Sequence, residues 1–425
     1  MSIKELYEIF REHPAVQTDT RKLEKGDLFF ALKGANFNGN VFAKAALDAG
    51  AAYAIVDEAP PTADKRIIVV HDVLATLQAL ALYHRQQFNI PFIAITGSNG
   101  KTTTKELVHA VLSSTYKTYT TQGNLNNHIG IPLTLLRVRK DAEMAIVEMG
   151  ANHMREIAGY CEYTLPTHGI ITNCGKAHLE GFGSVENIRK AKGELYDFLR
   201  THNGTAFVMW DYDYLRDMSH DISTVIKYGT ESADFTGTAL QQDSFLSVSM
   251  NKGANLPLIK TQLVGSYNLP NVLAAVTVGK HFNVSDEAIK NAIETYTPSN
   301  SRSQLLEKDG NHIILDAYNA NPSSMKAAIE NLSAIPAADK VLMLGAMAEL
   351  GTESLQEHQA IIDLIKQHTW KQVVLVGGDF QKLDHPFIKK ATAAEAADWF
   401  KQQHFNNAHI LIKGSRSMQM EKVLN

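Results

Sequence analysis

One stretch of the sequence decides the fold: Phe92-Ile93-Ala94-Ile95-Thr96-Gly97-Ser98-Asn99-Gly100-Lys101-Thr102-Thr103. It begins with a continuous apolar run over residues 92–96, which is typical of a strand buried on both faces of a parallel sheet. A glycine turn follows, and the pattern after it predicts a helix over Lys101–Ser113. A strand, a glycine turn and a helix in this order are the setting in which a phosphate-binding loop is credible. The stretch therefore predicts an α/β fold with a nucleotide site.

The glycine turn has the composition of such a loop. Its glycines let backbone amides converge on phosphate oxygens, and the helix N-terminus adds partial positive charge. Lys101 would reach the β- and γ-phosphates of a nucleotide, and the Thr102 hydroxyl would bind Mg²⁺. The general pattern has its first glycine where Ile95 stands, so a glycine turn with a solvated lysine remains the alternative. The predicted nucleotide contacts are Gly97, Ser98, Asn99, Gly100, Lys101, Thr102 and Thr103.

Strand and helix patterns divide the chain into three predicted domains, at residues 1–87, 88–298 and 299–425. The second domain has further strand candidates at Met144–Glu148, Gly169–Asn173 and Ala206–Met209, followed by short antiparallel strands over Asp234–Lys260. The third alternates strands and helices in the manner of a doubly wound domain. We therefore expect an α/β protein with a small α/β N-terminal domain, a central phosphate-loop domain with a mostly parallel sheet, and a C-terminal Rossmann-like domain.

The bulk composition limits the possible partners and compartments. Of the 425 residues, 44% are hydrophobic and 20% charged, with a net charge of -4, so a nucleic-acid partner is not expected. The two cysteines, Cys161 and Cys174, fit neither a disulfide framework nor a zinc site. The N-terminal residues carry charge where a signal peptide is apolar, and no apolar run reaches membrane-spanning length. We expect a soluble, cytoplasmic protein without a membrane span, and a monomer.

Two predicted strand ends and one helix carry further candidate residues. Glu148 ends a strand, where a carboxylate can hold a metal ion or can cap the following helix. His178 follows another strand end, and without context a packed or surface histidine is the simpler interpretation. Lys192 lies on a helical pattern, where a lysine is by default a solvated charge.

Taken in order, these motifs resemble the Mur ligases of peptidoglycan synthesis. The resemblance covers essentially the whole chain, and within the family it points to the members that add a dipeptide. The general motifs are Thr96 to Thr103, Glu148-Met149-Gly150, His178-Leu179-Glu180 and Lys192-Gly193-Glu194-Leu195. The motifs of the subgroup are Asp19-Thr20-Arg21, Leu28 to Gly34, Asn124 to Gly130, Asp316 to Pro322 and Leu411 to Arg416.

The resemblance implies an enzyme that uses ATP and Mg²⁺, with Lys101, His178 and Lys192 as catalytic residues. One Mg²⁺ would be bound by Thr102 and Glu148, and a second would involve His178 and a carbamate formed on Lys192 by CO₂. A carbamate turns a cation into an oxygen ligand, which a hard ion such as Mg²⁺ prefers. An unmodified Lys192 remains the alternative.

The resemblance also assigns nucleotide and substrate contacts. Asn268 and Asn271 would contact adenine, although an amide at a helix N-cap is the simple alternative. Arg302 and Asp316 would approach the ATP phosphate and ribose, and a surface ion pair is their alternative. The expected contacts with the nucleotide-sugar substrate and the incoming dipeptide are Asp19, Thr20, Arg21, Asn127, Asn319 and Ser415. The Asp-Thr-Arg triplet alone is a weak signal, because it could simply cap a turn.

Three positions depart from the pattern that the resemblance leads us to expect. Asn40 and Tyr267 stand where histidine is common, and Ala346 stands where aspartate is expected. The first departure affects the uridine contacts and the last affects details of the third domain.

The implied reaction joins UDP-N-acetylmuramoyl-tripeptide to D-alanyl-D-alanine through an acyl phosphate. The N-terminal domain would bind the UDP part, and the C-terminal domain would bind the dipeptide and close over ATP. Two rivals stay open: a sibling ligase that adds a single amino acid to a related UDP-sugar peptide or to folate, and a phosphate-loop nucleotide switch or transport NTPase. The sequence does not reveal whether the third residue of the tripeptide is lysine or diaminopimelate.

Overall fold

Three β-sheets organise the chain, and each lies in a different part of the sequence. The structure is a computed structural model, and it describes residues 1–59, 64–240, 245–299 and 301–425. Within these ranges the sheets have four, nine and six strands, and a separate two-stranded hairpin lies near the N-terminus. This arrangement confirms the predicted fold class.

The N-terminal part is a small parallel sheet with helices around it. Its elements are α1 (Ile3–Glu12), β1 (Val16–Gln17), β2 (Leu28–Phe30), β3 (Lys33–Gly34), β4 (Phe37–Asn38), α2 (Ala43–Asp48), β5 (Tyr53–Val56), β6 (Ile67–Val69) and α3 (Val73–Arg85). The sheet order is β1-β2-β5-β6, and every neighbouring pair is parallel. The apolar run Leu28–Leu32 is typical of one longer strand, but β2 ends at Phe30 and the chain continues into the β3–β4 hairpin.

The central part contains the nine-stranded sheet. Its first elements are β7 (Phe92–Thr96), α4 (Lys101–Ser113), β8 (Thr118–Thr120), α5 (Gly130–Leu136), β9 (Met144–Glu148), α6 (Glu156–Thr164), β10 (His168–Ile171), α7 (Leu179–Phe182) and α8 (Val185–Thr201). The remainder are β11 (Thr205–Met209), α9 (Asp213–Met218), β12 (Thr224–Gly229), β13 (Phe235–Leu240), β14 (Phe245–Lys252), β15 (Ile259–Val264), α10 (Leu269–His281) and α11 (Asp286–Thr295).

The order of this sheet is β15-β14-β13-β12-β11-β10-β7-β9-β8. The strands from β8 through β13 pair in parallel, and β13, β14 and β15 pair antiparallel, which confirms the predicted change of character after Asp234. Residues 241–244 of that predicted stretch lie outside the described residues. Because β9, β7 and β10 are parallel neighbours, their carboxyl ends meet at one edge of the sheet, where ligands of open α/β sheets bind.

The C-terminal part is a six-stranded sheet covered by helices. Its elements are β16 (Gln304–Lys308), β17 (Asn311–Asp316), α12 (Pro322–Ala334), β18 (Lys340–Gly345), α13 (Ser354–Lys366), β19 (Gln372–Val376), β20 (Ile388–Lys390), α14 (Ala393–Gln403) and β21 (His409–Lys413). The order is β16-β17-β21-β18-β19-β20, and among the described strands of this sheet only the β16–β17 pair is antiparallel. Asp316 and Lys413 therefore end two adjacent parallel strands.

Helix α3 joins the N-terminal part to the central part, because it packs against α1 on one side and against α5 and α6 on the other. At its end the buried Arg85 donates hydrogen bonds to the carbonyl oxygens of Thr164 (2.8 Å), Phe88 (2.9 Å) and Leu165 (2.9 Å). Its guanidinium also lies 3.7 Å from the centre of the Phe92 ring. Burial lowers the pKa of Arg85 to about 10, so the side chain stays charged at neutral pH.

The two cysteines are buried and unpaired, in agreement with the sequence. Among the described residues no helix combines the length and the apolar character needed to cross a membrane. The domain boundaries at residues 87/88 and 298/299 stay predictions, and Asn300, next to the second of them, lies outside the described residues.

We predict that Arg85→Met lowers the free energy of unfolding by about 2–4 kcal/mol, because one buried and two partly buried carbonyl groups lose a charged donor. Urea unfolding of the two proteins measures this difference. The matched control is Arg66→Met, since Arg66 is half-exposed and, within the described part of the chain, forms a surface ion pair with Asp64 alone. Equal stabilities of the two variants would contradict the role assigned to Arg85.

Candidate active site

A cleft of about 1140 Å³ lies between the central and C-terminal parts. The carboxyl ends of β7 and β9 and the N-terminus of α4 form one wall, and residues after β17 and at the start of α12 form the other. The predicted site residues that line it are Ser98, Asn99, Gly100, Lys101, Thr102, Thr103, Asn127, Glu148, His178, Asn268, Asn271, Arg302, Asp316 and Asn319.

The phosphate loop is held against the end of β10. The backbone amide of Ser98 donates to the Asn173 carbonyl (2.8 Å), and that of Asn99 donates to the Asn173 side-chain oxygen (3.0 Å). The Thr172 hydroxyl donates to the Asn99 carbonyl (2.6 Å). Gly97 has a φ of +143° and a Cβ there would collide with Thr172 Oγ1, so glycine is required. Neighbouring strands thus fix the shape of the loop.

Lys101 lies at the start of α4, and its side chain turns back over the loop. Its Nζ donates to the carbonyl oxygens of Gly97 (2.6 Å) and Ser98 (3.2 Å). Burial lowers the pKa of Lys101 to about 8; Glu148 opposes this shift, and the positive charge of Arg302 adds to it. An anion bound in the loop would therefore gain a nearby cation that has little water around it.

Thr102 and Glu148 form a pair that suits a hard metal ion. The Thr102 hydroxyl donates to Glu148 Oε1 (3.1 Å), and the Asn126 side-chain amide donates to the same oxygen (2.8 Å). The other oxygen, Oε2, is buried and has no hydrogen-bond partner among the described residues. A buried carboxylate oxygen without a partner is unfavourable unless a cation binds it. The donor set fits Mg²⁺, which takes few protein ligands and completes its shell with phosphate oxygens and water.

No group of three or more His, Cys, Asp or Glu side chains in the described part of the chain could hold a metal ion. A site with one carboxylate, one hydroxyl and phosphate ligands does not need such a group.

His178 and Lys192 take up unusual positions. His178 has a left-handed backbone (φ +51°), and its Nδ1 lies 2.6 Å from Glu349 Oε2 of the C-terminal part. Lys192 is 1% exposed, and its Nζ donates to the Ala151 carbonyl (3.2 Å). Burial first, and then the charge of Lys101, lower the pKa of Lys192 to about 7. The default interpretation of Lys192 as a solvated charge is therefore wrong, because α8 turns this side chain toward the interior.

The two predicted adenine contacts, Asn268 and Asn271, bond to each other and to helix α4, which follows the phosphate loop. Asn271 Oδ1 accepts from the Thr104 hydroxyl (3.0 Å), and Asn271 Nδ2 donates to Asn268 Oδ1 (2.8 Å). Asn268 Nδ2 donates to the Val264 carbonyl (2.9 Å). Asn268 is the N-cap residue of α10, but its side chain makes no capping bond, so the simple cap interpretation is wrong.

Arg302 and Asp316 both line the cleft but do not pair with each other. The Arg302 guanidinium stacks 3.6 Å from the centre of the Tyr318 ring. Asp316 accepts a hydrogen bond from Lys413 Nζ (2.6 Å), and this lysine is 2% exposed. The alternative of a surface ion pair between the two predicted residues is therefore wrong. Arg302 keeps its charge available to an anion in the cleft.

The predicted substrate residues are only partly brought together. Asn127 and Asn319 line the cleft on opposite walls. The Asp19 carboxylate accepts from the Arg21 backbone amide (3.0 Å) and pairs with its guanidinium (2.8 Å), so this triplet caps a turn, and Asp19, Thr20 and Arg21 do not line the cleft. Ser415 is 1% exposed, and its hydroxyl donates to the Ala346 carbonyl (2.7 Å).

The three departures have structural roles. Asn40 joins the segment after β4 to the segment after β5. Its Oδ1 accepts from the Asp57 amide (3.0 Å), and its Nδ2 donates to Asp57 Oδ1 (2.8 Å). Ala346 is buried, where an aspartate would place a carboxylate in the core. The Tyr267 hydroxyl lies 2.9 Å from the Ser303 hydroxyl.

Several cleft residues were not singled out from the sequence. Asn126 and Asn173 bond to Glu148 and to the phosphate loop, Tyr318 stacks on Arg302, and Lys413 pairs with Asp316. The available signal was position, because Lys413 ends a strand and Asn173 follows one, at the edge of the sheet that predicts ligand contacts.

The fold and the site define a class of protein: an enzyme with a phosphate loop whose nucleotide cleft is completed by a second α/β domain. Three models of one family match consecutive parts of the chain. They are "Mur ligase family, catalytic domain" at residues 14–85, "Mur ligase middle domain" at residues 95–279, and "Mur ligase, glutamate ligase domain" at residues 301–417. The chain belongs to the Mur ligase family.

Individual relatives match along nearly the whole chain. The UDP-N-acetylmuramoyl-tripeptide–D-alanyl-D-alanine ligase of Escherichia coli is 35% identical, over 96% of this chain and 92% of the relative. The crystal structure of MurF from Acinetobacter baumannii has a TM-score of 0.90 and 30% identity, over 100% of this chain and 97% of that chain. The MurF ligase from Thermotoga maritima, solved in complex with ADP, has a TM-score of 0.87 and 26% identity, over 96% of each chain.

We predict that Lys192→Met raises the free energy of unfolding at pH 7.5 in CO₂-free buffer, on the order of 1–4 kcal/mol. The pKa of this lysine is near 7 when folded and about 10.4 when unfolded, so between these values the unfolded chain binds more protons. The stability of the wild type therefore rises with pH across this window, and the advantage of the variant shrinks.

Urea unfolding at several pH values between 7 and 10 measures both effects. Lys190→Met is the control, because Lys190 lies exposed on the same helix. A Lys192→Met variant that is less stable than wild type, with an unchanged pH slope, would contradict the prediction.

Proposed function

We propose that this chain uses ATP to join D-alanyl-D-alanine to UDP-N-acetylmuramoyl-tripeptide, which gives UDP-N-acetylmuramoyl-pentapeptide for peptidoglycan synthesis. The observation that carries the proposal is one cleft that combines a phosphate loop, a Thr102–Glu148 metal pair and the C-terminal residues Arg302 and Asp316. At about 1140 Å³ the cleft is larger than most sites for a single small ligand, so it has room for a second substrate beside ATP. The whole-length similarity to D-alanyl-D-alanine ligases supports this substrate pair.

The reaction has two steps. An oxygen of the tripeptide's terminal carboxylate attacks the γ-phosphorus of ATP, and the bond to the β-phosphate oxygen breaks, so ADP leaves. The amine of D-alanyl-D-alanine then attacks the carbonyl carbon of the acyl phosphate. A C–N bond forms, the C–O bond to phosphate breaks, and inorganic phosphate and a proton are released. The first step is needed because a free carboxylate is a poor electrophile.

The side chains of this protein would stabilise the charge that moves in the first step. Lys101 lies over the loop that would cradle the phosphates, and Arg302 presents its guanidinium from the opposite wall. Thr102 and Glu148 would hold Mg²⁺, which neutralises phosphate charge when bound. Positioned cations supply most of the catalysis in phosphoryl transfer.

Lys192 fits the proposed carbamate because its depressed pKa leaves much of the amine neutral near pH 7.5. The neutral nitrogen adds to CO₂, an N–C bond forms and a proton is released. The carboxylate-like oxygens formed, together with His178, would be ligands for a second Mg²⁺. Carbamylation also removes the difficulty of a buried cation beside Lys101.

The remaining assignments follow from this proposal. Residues 1–87 would bind the UDP-sugar through Asp19, Thr20 and Arg21, residues 88–298 would bind ATP, and residues 299–425 would bind the dipeptide and close over ATP. Asn127, Asn319 and Ser415 are the other proposed substrate residues, and Asn268, Asn271, Arg302 and Asp316 the other nucleotide residues. The protein would act in the cytoplasm as a monomer, where the product serves cell-wall growth, cell shape and division.

Two rival functions are weaker. A sibling ligase would share the phosphate loop and the metal pair, but the similarity over the full chain favours the dipeptide-adding subgroup. A nucleotide switch or transport NTPase does not account for the matching N-terminal and C-terminal family models.

We predict that phosphate release from ATP and Mg²⁺ requires both UDP-N-acetylmuramoyl-tripeptide and D-alanyl-D-alanine, and that the pentapeptide forms in equal amount. A coupled phosphate assay with mass spectrometry of the nucleotide sugar measures both. Tripeptides with lysine and with diaminopimelate should each be tried. Release with a different amine would move the protein to a sibling activity, and turnover that is indifferent to both substrates would overturn the ligase proposal.

We predict that Glu148→Gln lowers kcat/KM by about 10²-fold or more, because the amide keeps the shape of the side chain but loses the charge that faces the metal. Steady-state kinetics over a range of Mg²⁺ concentrations measures the loss. The control is Glu143→Gln, since Glu143 precedes the same strand at its opposite end. Wild-type kinetics in Glu148→Gln would exclude this carboxylate as the metal ligand.

A further inference from the structure

The segment of residues 174–182 follows β10, carries His178, ends with the short helix α7 and contacts the C-terminal part. We name this segment the 174–182 loop. The Lys176 amide donates to the Ser323 hydroxyl (3.0 Å), and Lys176 Nζ lies 2.5 Å from Glu357 Oε1. The Glu180 amide donates to the Glu349 carbonyl (3.1 Å). Thus α12, α13 and the segment that leads into α13 each contribute a partner to one short loop of the central part.

The contact between His178 and Glu349 differs from the others because it fixes an imidazole ring. Glu349 Oε2 lies 2.6 Å from His178 Nδ1. His178 Nε2 makes no hydrogen bond with the described residues, and His178 lines the cleft. The two atoms lie at ion-pair distance but are not aligned as a hydrogen bond, and Nδ1 is otherwise buried without a partner among the described residues. A carboxylate that aligns with one ring nitrogen sets the tautomer and the orientation of the other nitrogen, and this arrangement is general among histidines that bind metals.

The backbone indicates that this geometry is imposed by its surroundings. His178 has a φ of +51° and Glu349 a φ of +62°, both in the left-handed region that non-glycine residues rarely adopt. The side chains are 22% and 47% exposed, and an ion pair so close to solvent adds little stability. Strain at both ends of a weak pair points to a role in positioning.

We propose that Glu349 is a positioning residue: by docking on the 174–182 loop it orients the His178 ring, so that docking of the C-terminal domain and assembly of this side of the active site are one event. This proposal rests on the proposed function, because that function makes His178 a ligand for Mg²⁺. It explains why the contact is made between two domains, since a carboxylate on the central sheet would hold the ring whether or not the C-terminal domain had docked.

The test compares Glu349→Gln with wild type in two measurements. In the substrate-free protein, hydrogen exchange of peptides that cover residues 174–182 is expected to rise, because the loop loses its charged anchor. In the assay, kcat/KM is expected to fall on the order of 10- to 100-fold, and the half-saturating Mg²⁺ concentration to rise, which are the usual effects of removing such a partner. Glu349→Asp should recover part of both effects.

Glu353→Gln is the matched control, because Glu353 is exposed nearby on the same connection and has no side-chain partner among the described residues. Unchanged exchange and Mg²⁺ dependence in Glu349→Gln would overturn the proposal. Faster exchange with wild-type kinetics would overturn the coupling and leave a docking contact only. Faster exchange in peptides throughout the protein would mean that Glu349→Gln is generally destabilised. Glu349→Asp then replaces it as the test variant in both measurements. A wild type that makes no pentapeptide refutes the proposed function, and the exchange experiment still tests the docking.

Discussion

Hydrogen bonds from the phosphate loop to the end of β10 hold the site in shape. The amides of Ser98 and Asn99 are engaged by Asn173, and Thr172 holds the Asn99 carbonyl from the other side. These bonds exist because β7 and β10 are parallel neighbours in one sheet, with Thr96 beside Ile171. The buried run of β7 thereby determines where the loop lies, and the loop determines where Lys101 and Thr102 begin α4.

Among the described residues, the charged groups around this loop affect one another across the site more than they form direct ion pairs. Lys192 is removed from water and Lys101 is partly buried; each has a lowered pKa, and Glu148 lies close enough to oppose the lowering of the Lys101 pKa. Glu148 itself keeps one buried oxygen without a partner among the described residues. Such an arrangement is unfavourable without a ligand, and the phosphate, the Mg²⁺ and the Lys192 carbamate of the proposed function would each supply a missing charge.

The C-terminal domain completes the site with contacts from several of its elements. Asn321 at the start of α12 donates to Asn99 Oδ1 (2.8 Å), Arg302 and Asp316 face the cleft, and Glu349 reaches His178. Most of these contacts are polar and partly exposed, which suits the proposed closure of the C-terminal domain over ATP. An apolar interface of the same extent would resist opening.

The sequence by itself determined the nucleotide chemistry and the fold class. The apolar run, the glycine turn and the start of α4 are local, and each element observed for residues 92–113 agrees with the prediction. The parallel order of the strands also placed Glu148 at the same edge as the loop, because neighbouring strand ends meet. The hairpin after Phe30 was missed although Gly34 and Asn36 are turn-forming residues, because each of its two strands has only two residues.

Only the tertiary structure decided which side chains are buried or paired across domains. Lys192 looks like a surface lysine on a helix, and its burial depends on what α8 packs against. Arg302 and Asp316 look like a surface ion pair, yet Tyr318 and Lys413 take them as partners. The pairing of His178 with Glu349 joins residues far apart in the chain. Local patterns encode a strand or a loop through nearby residues, but burial and long-range contacts depend on how distant segments pack, which a single sequence does not display.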